Sequence, residues 1–473
     1  MNDTSIIWFR NDLRVHDNEA LLNAIKHSEK VLPVFIFDER VYFGKTSFGF
    51  RKTEVYRAQF AIESVQNLRI KLNKLGLNLY VRVGKPEDII FNLAREIKSS
   101  WVYTNRERTY EEIKVQDALE KKLWTIGQEM IYTRGKMLFY TSDLPFPITQ
   151  TPDTFTNFRK EVEKFIRVRK PLPIPDVLYC RLANIESEWG EIPDIEQFDY
   201  DVSRLETRIP SLRGGEDAGR KQLQYYLWDT DLISTYKKTR NQLLGWDFSS
   251  KFSSYLSFGC LSPKMIYHEV CRYEQERKSN DSTYWIKFEL FWRDFFRLMG
   301  KKHGNKIFKL EGPMHVKKDL KEDMNLFRIW AEGRTGIPFI DANMIQLNKT
   351  GFMSNRGRQN VASFLVHNLK LNWLMGAEYF ESLLIDYDPC SNYGNWNYIS
   401  GVGSDPRENR QFNILSQANK YDYEGQFVKN WIPALEKLPQ SAVHTPGVID
   451  DAMQKELDFE IGRDYPRAII NLN

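Results

Sequence analysis

Residues 351–410 read GFMSNRGRQNVASFLVHNLKLNWLMGAEYFESLLIDYDPCSNYGNWNYISGVGSDPRENR, and this stretch mixes features that cores and surfaces normally keep apart. Apolar residues at helical spacing (Phe364, Leu365, Leu369, Leu371) alternate with Asn355, Arg356, Arg358, Asp386, Asp388, Asn392 and Asn395, and Trp373 and Trp396 sit among them. A polar side chain buried beside aromatics must find a partner or lose about 1–3 kcal/mol. So many in one stretch imply a large polar-and-aromatic ligand that supplies those partners. From residue 214 onward helical periodicity dominates, so the surrounding domain is read as mostly α-helical.

At the other end of the chain the pattern changes. Short apolar runs at Ser5–Phe9, Val31–Phe37, Leu79–Val83, Trp101–Thr104 and Glu129–Tyr132 alternate with amphipathic segments near Asn18–Ser28, Glu54–Leu75, Glu87–Ile97 and Glu111–Leu123. That alternation predicts a parallel, doubly wound α/β sheet with ligands beyond the carboxyl ends of its strands. No G-x-G-x-x-G follows the first strand and no P-loop is present, so a phosphate-cradling role for this part is unsupported. Pro-rich segments such as SDLPFPITQTPD and RKPLPIPD separate the two patterns. The expected organisation is an α/β domain over 1–135, a linker over 136–210 and a helical domain over 211–473.

Composition narrows the class. A chain of 473 residues, 42% hydrophobic and 14% aromatic, has ample core material for more than one domain. Its 67 Lys+Arg against 63 Asp+Glu are too balanced to imply nucleic acid alone, although Arg293–Lys321 and Arg159–Lys170 are locally basic. The four cysteines (Cys180, Cys260, Cys271, Cys390) are scattered without a C-x-x-C pair, which argues against a metal site and for a reducing compartment. No apolar run approaches the roughly 18 residues of a membrane span, and the N-terminus has no targeting character, so a cytoplasmic location is expected.

Three further segments carry candidate chemistry. In WIKFELFWRDFFRLM, Glu289, Trp292, Arg293 and Phe296 share one helix face, which places a Glu–Arg pair beside aromatics. Ser249, Ser250, Lys251 and Ser253 precede a helical run, where hydroxyls, backbone N–H groups and a lysine make either a cap or a diphosphate seat. Asp386 and Asp388, with Arg356 and Arg358 some thirty residues earlier, make either an ion-pair network or an Asp–Arg pair over a cofactor ring.

Taken together, WFRNDLRVHDNEAL, STYWIKFELFWRDFFR, TGFMSNRGRQNVASFL, DYDPCSNYGNWNYISGVGSDPRENRQFN and WIPALEKLP resemble the photolyase/cryptochrome family, specifically its cryptochrome-DASH branch. The resemblance runs over essentially the whole chain. It implies a non-covalent FAD folded into a U within the helical domain. Tyr236, Ser250, Lys251, Phe252, Ser253 and Leu256 would surround the phosphates and ribityl chain, and Glu289 and Arg293 the adenine and substrate side. Asn355 and Arg358 would border the isoalloxazine with Arg358 paired to Asp386, Asp388 would accept from the ring, and Asn392 would face N5.

The reaction implied is blue-light-driven electron transfer from reduced FAD to a cyclobutane pyrimidine dimer. Glu289 and Asn355 would bond the dimer, Trp292 and Tyr398 would wall it, Gln359 would lie beneath it, and Arg356 would contact the substrate. Gln359 and Tyr398 depart from the duplex-repairing photolyases, which have Met in some cases and Trp at these positions. A more polar, less stacking pocket offsets less of the cost of unpairing a duplex, so single-stranded DNA is the expected partner, with loop or duplex DNA bound weakly. Trp396 and Trp373 would deliver electrons, whereas Leu320 stands where the family's third tryptophan is expected. Glu111 and Glu112 match positions that bind a 5,10-methenyltetrahydrofolate antenna, against the simpler reading of two acids on a helix's first turn. A monomer is expected, with no metal. The competing readings are a blue-light photoreceptor acting through a partner, and a light-independent nucleotide-binding protein.

Overall fold

The computed structural model describes residues 3–178, 180–403 and 411–472, so the tail of the DPRENR string (404–410) lies outside the described residues. Five parallel strands form the N-terminal sheet: β1 Thr4–Phe9, β2 Lys30–Asp38, β3 Tyr80–Gly84, β4 Trp101–Asn105 and β5 Glu129–Thr133, in the order β3-β2-β1-β4-β5. A two-residue strand, β6 Arg181–Leu182, adds to β2 in parallel. Helices α1 Glu19–His27, α2 Glu39–Tyr42, α3 Val55–Lys74, α4 Pro86–Glu96 and α5 Tyr110–Trp124 connect the strands.

Every residue of β1 is buried, because helices cover both faces of the sheet. Alternation along that strand sends Ile7 and Phe9 into one core with α1 and α3, and Ile6 and Trp8 into the other with α4 and α5. The expected strands all form, each within one residue of its sequence-read bounds.

Residues 136–210 are not bare chain. They carry α6 Phe155–Phe165 and β6, and Phe158 and Phe198 are fully buried. This segment is fastened to the helical domain by Asp294, which accepts from the Leu138 and Phe139 N–H groups at 3.1 and 2.8 Å. Its low periodicity reflects packing made across the molecule rather than along the chain.

The helical part comprises α7 Glu216–Gln224, α8 Tyr236–Thr239, α9 Phe252–Ser257, α10 Pro263–Glu276, α11 Asp281–His303, α12 Met324–Ala331, α13 Pro338–Thr350, α14 Asn355–Ser363, α15 Trp373–Leu383, α16 Pro389–Ser400, α17 Ile414–Tyr421, α18 Gln426–Trp431 and α19 Asp451–Glu456. Helix α11 is the spine. Asn280 caps its start, three basic residues close its last turn, and it packs on α8, α10 and α16. One apolar core runs from the sheet through α6 to α11, so the two parts share a core rather than merely touch. A third core lies among α12–α18. Among the described residues no helix is long and apolar enough to cross a membrane.

Candidate functional site

Helices α8, α9, α11, α14, α15 and α16 enclose a cavity of about 310 Å³. Fifteen of the residues that the family resemblance assigned line it: Tyr236, Ser250, Lys251, Phe252, Ser253, Leu256, Glu289, Arg293, Asn355, Arg358, Gln359, Asp386, Asp388, Asn392 and Trp396. Glu289, Gln359, Asn355 and Asn395 retain exposure, and they mark its mouth.

One wall is cationic. Lys251 heads α9 in a left-handed conformation (φ 58°), only 4% exposed, with Nζ 2.8 Å from the Ser249 hydroxyl and 3.5 Å from the Phe248 ring centroid. No carboxylate lies within ion-pair distance of it among the described residues. Burial pulls its ammonium down to about 7, with Asp247 only partly opposing. A buried cation of this kind calls for an anion.

The opposite wall is built on Asp388, which ends the loop after α15 and caps α16 by accepting from Ser391 N–H at 2.9 Å. Arg297, one turn beyond Arg293 on α11, donates to Asp388 Oδ2 at 2.5 Å and to Glu107 Oε2 at 3.2 Å, and Lys136 donates to Glu107 Oε1 at 2.5 Å. All four side chains are buried. Burial pushes the Asp388 carboxyl up, but the charges of Arg297, Arg293 and Lys136 outweigh it and hold the group at about 2. Glu107 is held at about 2 in the same way by Lys136, Arg297 and Arg10. Asp388 is therefore an anion at neutral pH.

Arg358 donates to Asp386 Oδ2 at 2.9 Å and to the Met353 carbonyl at 3.0 Å. Among the described residues the other oxygen, Asp386 Oδ1, is buried without a hydrogen-bond partner, as is Gln359 Oε1. Asn392 donates Nδ2 to the Ala377 carbonyl at 2.9 Å, which fixes its amide in the wall. A ligand with a phosphate for Lys251 and N–H or O–H donors for Asp386 and Gln359 meets these needs, and FAD carries both.

Glu289 and Arg293 do not pair, contrary to the i,i+4 reading. Glu289 instead bonds Arg240, while Arg293 donates to the carbonyls of Lys136 at 2.7 Å and Leu256 at 3.1 Å. Arg240 lines the cavity and sequence reading missed it, since it sits in the run YKKTR that looks like a solvated face. Phe248, Met353, Phe380, Tyr387 and Ile399 were likewise unnamed and belong to the apolar lining.

Other expected residues stand behind or beside the lining. Trp292 stacks on Phe155 (3.8 Å, 8°) and meets Tyr398 edge-on at 6.0 Å. Arg356 donates to Asn241 Oδ1 at 3.2 Å and lies 4.7 Å over the Tyr421 ring. Trp396, at the lining, packs 5.2 Å from Phe380 and is approached closely by Gly376, where a Cβ would enter the indole ring. Trp373, fully buried, donates Nε1 to the Leu310 carbonyl at 3.0 Å and lies 6.3 Å from Tyr393. Leu320 packs at the edge of that core. In α5, Glu111 pairs with Lys52, and Glu112 closes a capping box with Thr109. Among the described residues no cluster of three or more metal-ligating side chains occurs.

Known proteins share this fold. Residues 5–176 match the family model described as DNA photolyase, and residues 285–473 match the FAD binding domain of DNA photolyase. A cryptochrome DASH from Synechocystis is 46% identical over 471 residues, covering 99% of this chain and 96% of that one. One from Xenopus laevis is 44% identical, covering 98% and 89%. The crystal structure of the Synechocystis cryptochrome superposes with a TM-score of 0.95 over 99% of this chain and 96% of that one. A class III photolyase from Agrobacterium tumefaciens superposes at 0.86 with 26% identity, over 100% and 95%. The chain belongs to the photolyase/cryptochrome family, in its cryptochrome-DASH branch, and carries that family's FAD-binding domain.

Proposed function

We propose that the protein is a deoxyribodipyrimidine photo-lyase of the DASH type, which repairs cyclobutane pyrimidine dimers in single-stranded DNA under blue light. The observation that carries this reading is the cavity itself: a buried lysine with no carboxylate partner among the described residues at one wall, a fixed aspartate at the other, and Glu289 and Asn355 at an open mouth. FAD bound in its reduced form would supply the photoexcited electron that opens the dimer, and would take that electron back once the dimer has split, so the repair is redox-neutral. The chain's own residues position and shield. Lys251 with Ser250 and Ser253 seats the diphosphate, Arg358 and Asp386 border the ring, and Asn392 presents an amide that accommodates a protonated or unprotonated nitrogen. A flipped dimer enters at the mouth, where Glu289, oriented by Arg240, and Asn355 bond its bases beside Trp292 and Tyr398. With Gln359 and Tyr398 in place of more apolar or larger groups, the pocket repays little of a duplex's unpairing cost.

Dimer content of a damaged single-stranded oligonucleotide, followed in light and in darkness, tests this. Loss of dimers is expected only in light. Glu289→Gln is expected to slow it about tenfold or more while FAD stays bound, because a charged hydrogen bond to the substrate becomes neutral. Light-dependent change in binding to another protein, with no dimer loss, would favour the photoreceptor reading.

If Lys251 holds the diphosphate, FAD affinity falls as pH rises above about 7, by up to tenfold per unit, because deprotonation removes the cation. Lys251→Met is expected to weaken binding and flatten that dependence, as read by titration of apoprotein with FAD. A 5,10-methenyltetrahydrofolate antenna beside Glu111 and Glu112 is expected to add a near-ultraviolet shoulder to the flavin spectrum. Burial and the Glu107 charge raise the Glu112 carboxyl.

A further inference from the structure

The carboxyl edge of the sheet carries a group of cations that the flavin cavity does not use. Arg106 directly follows β4, Arg134 directly follows β5, Arg108 lies between β4 and α5, and Lys301 sits in the last turn of α11. The three arginines line a small cleft together with Lys136 and Arg297, between the sheet and the helical domain.

Three carboxylates around the cleft are already engaged. Glu107 is held by Lys136 at 2.5 Å and Arg297 at 3.2 Å, and Asp388 by Arg297 at 2.5 Å. Glu19 accepts from the Arg134 backbone N–H at 2.9 Å and from the Tyr140 hydroxyl at 3.0 Å. Among the described residues no carboxylate pairs with the side chains of Arg106, Arg108, Arg134 or Lys301. Arg106 instead lies over the Tyr132 ring at 4.8 Å.

The cations press on one another. Burial, then the charges of Arg297, Arg106 and Arg134, bring the Arg108 guanidinium down to about 10. Burial, then Arg108, Arg134 and Arg106, bring Lys301 down to about 8. A bound anion would relieve both. The location points the same way independently, because doubly wound sheets bind ligands beyond the carboxyl ends of their strands. Three guanidinium groups favour phosphate over halide, since their planar forks match its oxygens.

We propose that this cleft is a phosphate-binding site, held by Arg106, Arg108 and Arg134 and separate from the flavin cavity. The phosphate comes either from a nucleotide-like small molecule or from the backbone of a bound DNA strand.

The test uses FAD-loaded protein with inorganic phosphate titrated against chloride at constant ionic strength. A saturable rise in melting temperature is expected, and it is abolished in Arg108→Gln and in Arg106→Gln/Arg134→Gln. In chloride alone the double variant is expected to melt no lower than the parent, because repulsion has been removed; this separates ligand loss from misfolding. A 5′-mononucleotide that reproduces the shift more tightly than phosphate identifies the small-molecule source. Single-stranded DNA whose log–log salt slope of binding becomes shallower in the double variant, by about 0.7 for each phosphate no longer engaged, identifies the DNA source. No saturable phosphate effect, or the same effect in parent and variants, overturns the proposal.

Discussion

Arg297→Met is expected to remove about 3–5 kcal/mol of folding stability and to release the flavin. The guanidinium is 3% exposed and is the shared partner of Glu107 and Asp388, which are buried and come from distant parts of the chain. Breaking a buried pair from one side leaves a charge without compensation, and that is the source of the loss. Here two carboxylates lose their partner, although Lys136 still holds Glu107. Asp388 also caps α16, so its displacement loosens the helix that carries Asn392 and Trp396.

The pH dependence follows from the same network. Both carboxyls sit at about 2 in the folded protein, below their ordinary values of 3.8 and 4.5. Their contribution is complete above those ordinary values and is lost as pH falls through about 2. The parent is therefore expected to lose stability steeply below about pH 4, whereas the variant starts lower and falls less. Urea unfolding between about pH 3 and 7, with flavin fluorescence reporting release, measures both effects. A variant within about 1 kcal/mol of the parent would show that the network does not hold the two domains together.

Trp396→Phe is expected to reduce light-driven reduction of the flavin by at least an order of magnitude while leaving FAD bound. Trp396 lines the cavity and is 2% exposed, and phenylalanine keeps most of its apolar packing against Phe380 while removing an easily oxidised indole. Repair by protein already reduced chemically should persist, since that route needs no refilling. Transient absorption of an indole radical in the parent, absent in the variant, distinguishes a missing donor from a damaged pocket. Beyond Trp373 the neighbouring ring is Tyr393, whose hydroxyl donates to Glu381 at 3.3 Å, while Leu320 offers no redox-active ring.

The centre of the sheet was legible because β1 and β2, buried on both faces, read as uninterrupted apolar runs, and α1 and α4 carry clear amphipathic stripes. Parts of the helical domain were not. Helix α13 is buried on nearly every side, so it has no polar face to set a period. Helix α16, PCSNYGNWNYIS, is rich in Asn and Gly, and it is helical because Asp388 caps it, Pro389 starts it, and α11 and α15 clamp it. Residues that line the cavity were found largely through family resemblance. Arg240 and Arg297 escaped notice because their partners lie 49, 91 and 190 positions away, and nothing local distinguishes them from surface arginines.

Light-driven repair with a preference for single strands is tested most directly by the initial rate of dimer loss in one oligonucleotide, single-stranded and then annealed to its complement. FAD is kept fully bound and reduced, under blue light. Rapid loss in the single strand, much slower loss in the duplex and none in darkness are the predicted results. Absence of light-dependent loss in the single strand would contradict repair as the function of this site.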